Sequence, residues 1–292
     1  MRPSRTAAMS GCCPLCSTCS TSTTHQPGGK MTAVLATEIG RADRPRCALH
    51  REAELSAWHD LLAAIHGTEW QRRTVCDEWD VADIAGHLIG QAEDVIRPLS
   101  FPRRLRKAKR TYPSTPKFDA HMMVQADEHR GTPPAVLRST FDRTWSKATK
   151  RITSNPALIR RISMAMDEFP DFSLNLGYIQ DILLARDLWM HRDDVCQALD
   201  RPFDAGPYGA ELVAQVMRDV LDGPFWGDRP AVDVELTGQG GGTYRLGRGE
   251  PVGRAAVDAV GYMRTLSGRD DVPVVSGDPA AVEAVAGCRM PF

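Results

Sequence analysis

The chain has 292 residues, with 36 Lys and Arg against 37 Asp and Glu and a formal net charge of −1, which excludes a dominantly electrostatic nucleic-acid binder. With 42% hydrophobic and 25% charged residues it is not a bulk-disordered chain. No run approaches the ~18 consecutive apolar residues of a membrane helix, and the length suits two domains of roughly 100–200 residues each.

Residues 1–45 read as a disordered N-terminal extension. Ser, Thr, Gly, Pro and Cys dominate there, and no helical or strand period survives. Cys12, Cys13, Cys16 and Cys19 crowd into it. The C-x2-C-x2-C spacing of Cys13, Cys16 and Cys19 suits a metal or cluster site, but Ser and Thr flanks supply no apolar shell. The plainer alternative is an unfolded tail ahead of the more ordinary start at Met31. Cys47, Cys76, Cys196 and Cys288 are widely spread, and no apolar secretory segment is visible. Reduced thiols and a cytoplasmic protein are therefore expected.

Over residues 49–66, Leu55, Trp58, Leu62 and Ile65 recur at helical spacing. Asp80 is a good N-cap, with Asp83 three residues on, and predicts a second helix to about Ile96, stopped by Pro98. The segment Phe101–Arg110 is basic, six of its last eight residues being Lys or Arg. Without interleaved aromatics it reads as a solvated loop rather than a phosphate or nucleic-acid patch. The cluster Asp127, Glu128 and His129, in the segment His121–Arg130, reads as surface. Pro133 and Pro134 open a helix to about Thr153, and a long helix follows from about Leu174 to Leu199.

After Pro202 the pattern changes. Val232–Thr237 alternates with period two and reads as a strand. Gly238–Gly242 leads into Thr243–Leu246 and not into a helix N-terminus, so it reads as a hairpin turn and not a phosphate loop. A helix over 254–266, a strand over Val272–Val275 and a last helix from Pro279 complete the chain. A helical domain over 46–202 and a smaller α/β domain over 203–292 are expected.

The chemistry concentrates in Arg186–Val195. On a helical wheel Leu183 and His191 lie roughly 40° to either side of Asp187. Leu176, Leu184, Met190 and Val195 fall within about 80°. Asp187 and His191 thus share an apolar face one turn apart. A carboxylate there is costly unless it is paired or metal-bound. With an imidazole four residues on, it can hold an ion from one helix face, as in helical zinc motifs. His87 is the best third ligand, pointing inward beside the stripe Ile84, Leu88 and Val95, with Gly86 leaving room beside it. Three ligands leave an open coordination position. The competing reading is a hydrogen-bonded core pair with a satisfied core histidine, and His59, His66, His121 and His129 are rival histidines. Cys76, followed by Asp77 and Glu78, makes a poor nucleophile.

Thr74–Gly90 (TVCDEWDVADIAGHLIG) resembles the signature of the mycothiol-dependent maleylpyruvate isomerase family. Arg186–Val195 (RDLWMHRDDV) resembles that family's later metal segment. VDVELTGQGGGTYRLGRG and YMRTLSGR resemble its C-terminal domain, so the likeness spans roughly residues 46–290. The resemblance implies a DinB-like four-helix metal-binding bundle followed by an α/β domain of sterol-carrier-like outline. It implies a metal triad of His87, Asp187 and His191, a divalent metal such as zinc, and mycothiol as cosubstrate. The isomerase proper is expected to carry Glu where this chain has Asp187. An Arg of the C-terminal domain, Arg264 or Arg269, is implied to help bind an anionic substrate or the thiol.

The expected function is thiolate addition to a small electrophile, giving isomerisation or thiol transfer. The alternative is a non-catalytic metal- or ligand-binding module with a regulatory or carrier role. A third idea, nucleic-acid contact through Arg103–Arg110, requires strongly salt-dependent binding.

Overall fold

A computed structural model describes residues 33–76, 78–166, 169–270 and 275–290. Cys12, Cys13, Cys16 and Cys19 lie outside these residues, as does the expected strand over 272–275 apart from Val275. Residues 33–45 depart from the expected tail: β1 (Val34–Leu35) pairs in parallel with a strand more than 200 positions on, and Ala36 is fully buried.

Asp43 accepts from Arg46 N, and Pro45 occupies the first turn, so α1 (Arg44–Ala63) begins earlier than its apolar period alone suggests. Asp80 caps α2 (Val81–Ile96) as its spacing predicts. Its side chain accepts from Asp83 N at 2.9 Å, and Asp83 Oδ2 accepts from Asp80 N at 3.3 Å. Next comes α3 (Ser100–Thr111), where a solvated loop was expected. The reason is Arg104, 1% exposed, which donates to Gly90 O at 2.8 Å, Asp94 Oδ1 at 2.7 Å and Glu128 Oε2 at 2.9 Å, and also to Glu93. One side of the basic segment is thus anchored on α2. The α4 helix (Lys117–Asp127) leaves Asp127, Glu128 and His129, read as surface, half-buried at its end, while His121 in the same segment is buried with Nε2 3.1 Å from Asp94.

The chain continues through α5 (Pro134–Ser154) and the short α6 (Ala157–Arg160). The hairpin β2 (Ser163–Met166) and β3 (Phe169–Asn175) was not expected, and it delays the long helix. That helix comes in three parts: a single turn α7 (Leu176–Tyr178), a π-helical segment Ile179–Leu183, and α8 (Leu184–Ala198). Trp58, Leu62, Ile84, Leu88, Phe141, Trp145 and Leu188 put α1, α2, α5 and α8 around one core.

The second part begins with α9 (Gly209–Asp222) and holds a mixed sheet. Its strands are β1, β4 (Val232–Thr237), β5 (Gly242–Leu246), β6 (Arg254–Asp258) and β7 (Ser276–Gly277), in the order β1-β5-β4-β6-β7. The β4–β5 pair is the antiparallel hairpin that Gly238–Gly242 suggested, and β6 runs parallel to β4. Gly238 and Gly240 have φ of 74° and 77°, a conformation that glycine takes without strain. The expected helix over 254–266 splits. Arg254–Asp258 is drawn into the sheet, and Asp258 then caps α10 (Ala259–Leu266) by accepting from Gly261 N at 2.8 Å. The last helix is α11 (Pro279–Ala286).

The described residues form one compact unit. The reason is α8, whose residues Leu184–Cys196 are all buried. Leu184, Leu188 and Val195 belong to the helical core, while Trp189 and Met190 belong to the core of the sheet and its helices. No helix among the described residues is long and apolar enough to cross a membrane.

Candidate metal centre

A helix buried on every side is expected to be apolar all round, yet α8 carries seven charged or titratable residues among its buried ones: Arg186, Asp187, His191, Arg192, Asp193, Asp194 and Cys196. Buried charges persist only when paired, and these are. Arg192 donates twice to Glu54 of α1, at 2.9 and 3.0 Å. Arg186 donates to Asp219 of α9 at 3.1 Å. Arg264 donates to Asp193 at 2.7 Å and holds Asp270 with two further bonds. Arg269 donates to both oxygens of Asp194, at 2.8 and 2.9 Å.

The remaining pair, Asp187 and His191, meets His87 of α2. His87 Nε2 lies 3.3 Å from Asp187 Oδ2, and His191 Nε2 lies 3.5 Å from Asp187 Oδ1. All three side chains are buried, and their ligand atoms lie within 4.8 Å of one another. A tetrahedral ion with bonds of about 2.0–2.2 Å sets its ligand atoms about 3.4 Å apart. The His–Asp separations match that spacing, and two imidazoles with a carboxylate are a donor set for a first-row divalent ion. The residues therefore fit a metal. Gly86 and Gly90 leave room here for α4 rather than α8: a Cβ on Gly90 would stand 2.5 Å from Gln125 Cβ, and one on Gly86 2.9 Å from His129 Cβ.

Groups around the three fix their geometry. Gln91, one turn after His87, donates to Asp187 Oδ2 at 2.6 Å and lies 3.1 Å from His87 Nε2. Asp194 Oδ2 accepts from His191 Nδ1 at 2.9 Å, leaving Nε2 toward Asp187. The ring of Trp79, itself buried, lies 4.9 Å from His87 and 5.9 Å from His191. Cys76 Sγ donates to Asp194 Oδ2 at 3.6 Å and, with His191 and Asp194, forms a second group of potential ligands sharing the same histidine.

The charge states follow from burial and neighbours. Burial opposes ionisation of Asp187, but His191 and His87 outweigh it and hold the carboxyl well below its ordinary range. Burial also dominates at His87 and lowers it, so that ring stays neutral with a lone pair to offer. At His191 burial works against the charge, but Asp187 and Asp194 prevail and push it up to about 10. An ion held here would have to displace that proton. Burial raises Asp194, yet Arg269 and then His191 overcome it and bring it down to about 2.

Each residue of the expected triad is thus at one place. The rival histidines are elsewhere: His59 pairs with Asp142 on the surface, His66 caps a short turn, and His121 and His129 lie against Asp94 and Glu93. Both candidate arginines reach α8, and Arg269 is the one whose charge is felt at Asp187. Sequence reasoning missed Gln91, Trp79 and Asp194. Gln91 had a legible signal, lying one helical turn from His87 on the same face.

The family model for the mycothiol maleylpyruvate isomerase N-terminal domain matches residues 51–196. No curated protein matches the chain. Two solved structures share its fold, both of the mycothiol-dependent maleylpyruvate isomerase, one of them a single-residue mutant. The mutant structure has a TM-score of 0.54 and 12% identity, covering 80% of this chain and 93% of its own. The other has a TM-score of 0.52 and 12% identity, covering 82% and 94%.

Proposed function

Since the chain belongs to the mycothiol maleylpyruvate isomerase N-terminal domain family, we propose that it is a metal-dependent enzyme using a low-molecular-weight thiol, mycothiol. Its reaction is thiolate addition to an electrophilic carbon of a small molecule. Reversal after bond rotation gives isomerisation, and retention of the thiol gives transfer. The observation that carries this reading is the convergence of His87, Asp187 and His191 at metal-ligand spacing. That convergence favours it over a retained scaffold without a metal, which needs no such meeting of donors, and turnover separates it from a metal-binding module without catalysis.

The three side chains would hold a divalent ion, zinc being the natural fit for this set. The chemistry such an ion supplies is stabilisation of a bound thiolate at neutral pH. The protein's own groups do the rest. Asp194 holds the His191 ring so that Nε2 faces the centre, and Gln91 orients Asp187. Trp79 covers the two imidazoles and keeps water from that side. Arg269 neutralises Asp194, so that the second carboxylate does not add a net charge beside the centre.

The shared core of α1, α2, α5 and α8 supports reading residues 46–202 as a DinB-like four-helix bundle. The part over 203–292 is read as the sterol-carrier-like domain, and the protein as cytoplasmic. Elemental analysis of the purified protein tests the function directly. About one divalent ion per chain is expected, absent from Asp187→Ala, together with thiol-dependent turnover of an unsaturated diacid or another electrophile. No metal after reconstitution overturns the proposal.

A further inference from the structure

The triad supplies three donors, and the side chain of Gln91 stands among them. It lies one helical turn after His87 on α2 and is half-buried. Its Nε2 is 2.6 Å from Asp187 Oδ2 and 3.1 Å from His87 Nε2. An amide nitrogen only donates, so both of those atoms accept, and the lone pair of His87 Nε2 points to the centre. The two acceptors are 3.3 Å apart, and the NH2 group of Gln91 bridges them. The bridge occupies the place that a cation shared by the same two lone pairs would take.

The other end of the amide is not anchored. Gln91 Oε1 is buried and accepts from nothing among the described residues. A buried carbonyl oxygen without a partner is costly. It also means that no bond at the outer end resists a half-turn about the Cγ–Cδ bond. That turn exchanges Nε2 and Oε1 and leaves the rest of the side chain in place. It would set the oxygen 3.1 Å from His87 Nε2, close to the ligand spacing of about 3.4 Å around a tetrahedral ion.

Which end faces inward depends on what the two acceptors hold. Facing bare lone pairs, the N–H groups are attracted and the carbonyl is repelled. Facing a cation the preference reverses, because an amide oxygen is a donor atom for a divalent ion and an N–H group is not.

We propose that Gln91 is a fourth, exchangeable ligand of the centre: its Oε1 completes the His87, Asp187 and His191 set when an ion is held, and its Nε2 bridges Asp187 and His87 when none is. This rests on the metal-dependent reading above and goes beyond it, since three ligands alone leave the fourth position to solvent. The neutral carbonyl is the weakest of the four donors. An anionic sulfur arriving at the ion therefore exchanges with Gln91 and leaves the triad intact.

The test is titration of the full-length protein, first stripped by a chelator, with cobalt(II) alone, followed by the visible bands of the bound ion. Gln91→Ala removes both ends of the amide and is expected to weaken cobalt(II) at least about tenfold. Gln91→Glu has the same shape, loses the N–H donors and keeps an oxygen at the same reach. It is expected to bind cobalt(II) at least as tightly as the unaltered protein. A Gln91 that only orients Asp187 by donation gives the reverse, a Glu variant as weak as the Ala variant, and that outcome overturns the proposal. Unchanged affinity in Gln91→Ala overturns it too.

Azide added to the cobalt-loaded proteins is the second readout, because it reports a position open to a small anion. It is expected to bind Gln91→Ala at least about tenfold more tightly than the unaltered protein, a comparison in which the charge of the chain does not change. Equal azide affinity overturns the proposal and leaves the triad standing. Failure of the unaltered protein to bind cobalt(II) at all overturns the metal-dependent reading itself, and this one with it.

Discussion

Asp194 accepts a hydrogen bond from Nδ1 of His191 at 2.9 Å and so decides which nitrogen of that ring faces Asp187. A carboxylate behind a ligating histidine fixes its tautomer and raises its basicity, and removing one typically costs 10–100-fold in metal affinity. Asp194→Asn is therefore expected to weaken binding by about that factor. Competition against a chromophoric chelator measures it, and unchanged affinity would remove Asp194 from the centre.

Asp187 supplies the only carboxylate of the triad and accepts from Gln91 at 2.6 Å. Replacing it with Asn keeps the shape and deletes the charge. Asp187→Asn and His87→Ala are expected to lower metal content at least about tenfold. Asp187→Glu retains the ion, because the donor atom survives one methylene further out. Elemental analysis of the three proteins side by side checks this ordering.

Arg104 tests how far the neighbouring ion-pair network matters. Its guanidinium is 1% exposed and meets Glu93, Asp94 and Glu128 at once. Breaking a buried network by deleting one partner typically costs about 3–5 kcal/mol. Arg104→Met is expected to lose stability of that order in urea unfolding. Once folded it is expected to hold as much metal as the unaltered protein, since Arg104 touches none of His87, Asp187 and His191.

Glu93 gives the pH dependence of the same network. Burial opposes its charge, but His129 and Arg104 outweigh that and hold the carboxyl at about 2 instead of the usual 4.5. A carboxylate depressed in the folded state adds stability that is complete above its unfolded value and is lost as pH falls through the folded one. Acid unfolding followed by circular dichroism should therefore show stability declining between about pH 4.5 and pH 2. In Arg104→Met the folded value rises toward 4.5, so the decline starts at the same pH, is smaller and ends at higher pH.

The α2 helix was legible because its signals are local: Asp80 and Asp83 close a capping box, and the apolar stripe fixes which face turns inward. The triad was legible for the same reason, since i and i+4 on one helix and a single inward histidine are periodicity statements. The helix α3 was not legible. Nothing in the segment Phe101–Arg110 says that one of its six cations is buried, because the three carboxylates that receive Arg104 come from α2 and from the end of α4. The strand β6 was missed similarly. Arg254–Asp258 is compatible with either state, and pairing with β4, some twenty residues away, decides it. The roles of Asp193 and Asp194 depend on Arg264 and Arg269, more than seventy positions on, which no local pattern connects.

The place of α8 in both cores has a consequence for modularity. Cutting the chain after residue 202 would bare Trp189 and Met190 and leave Asp193 and Asp194 without their guanidiniums. The two parts are therefore expected to melt as one cooperative unit rather than in sequence. The matched family region ends at Cys196, within this helix, while the cations that keep its last turns neutral come from the part beyond. A different C-terminal partner could be grafted onto the same helices only if it delivered two arginines to the same two aspartates.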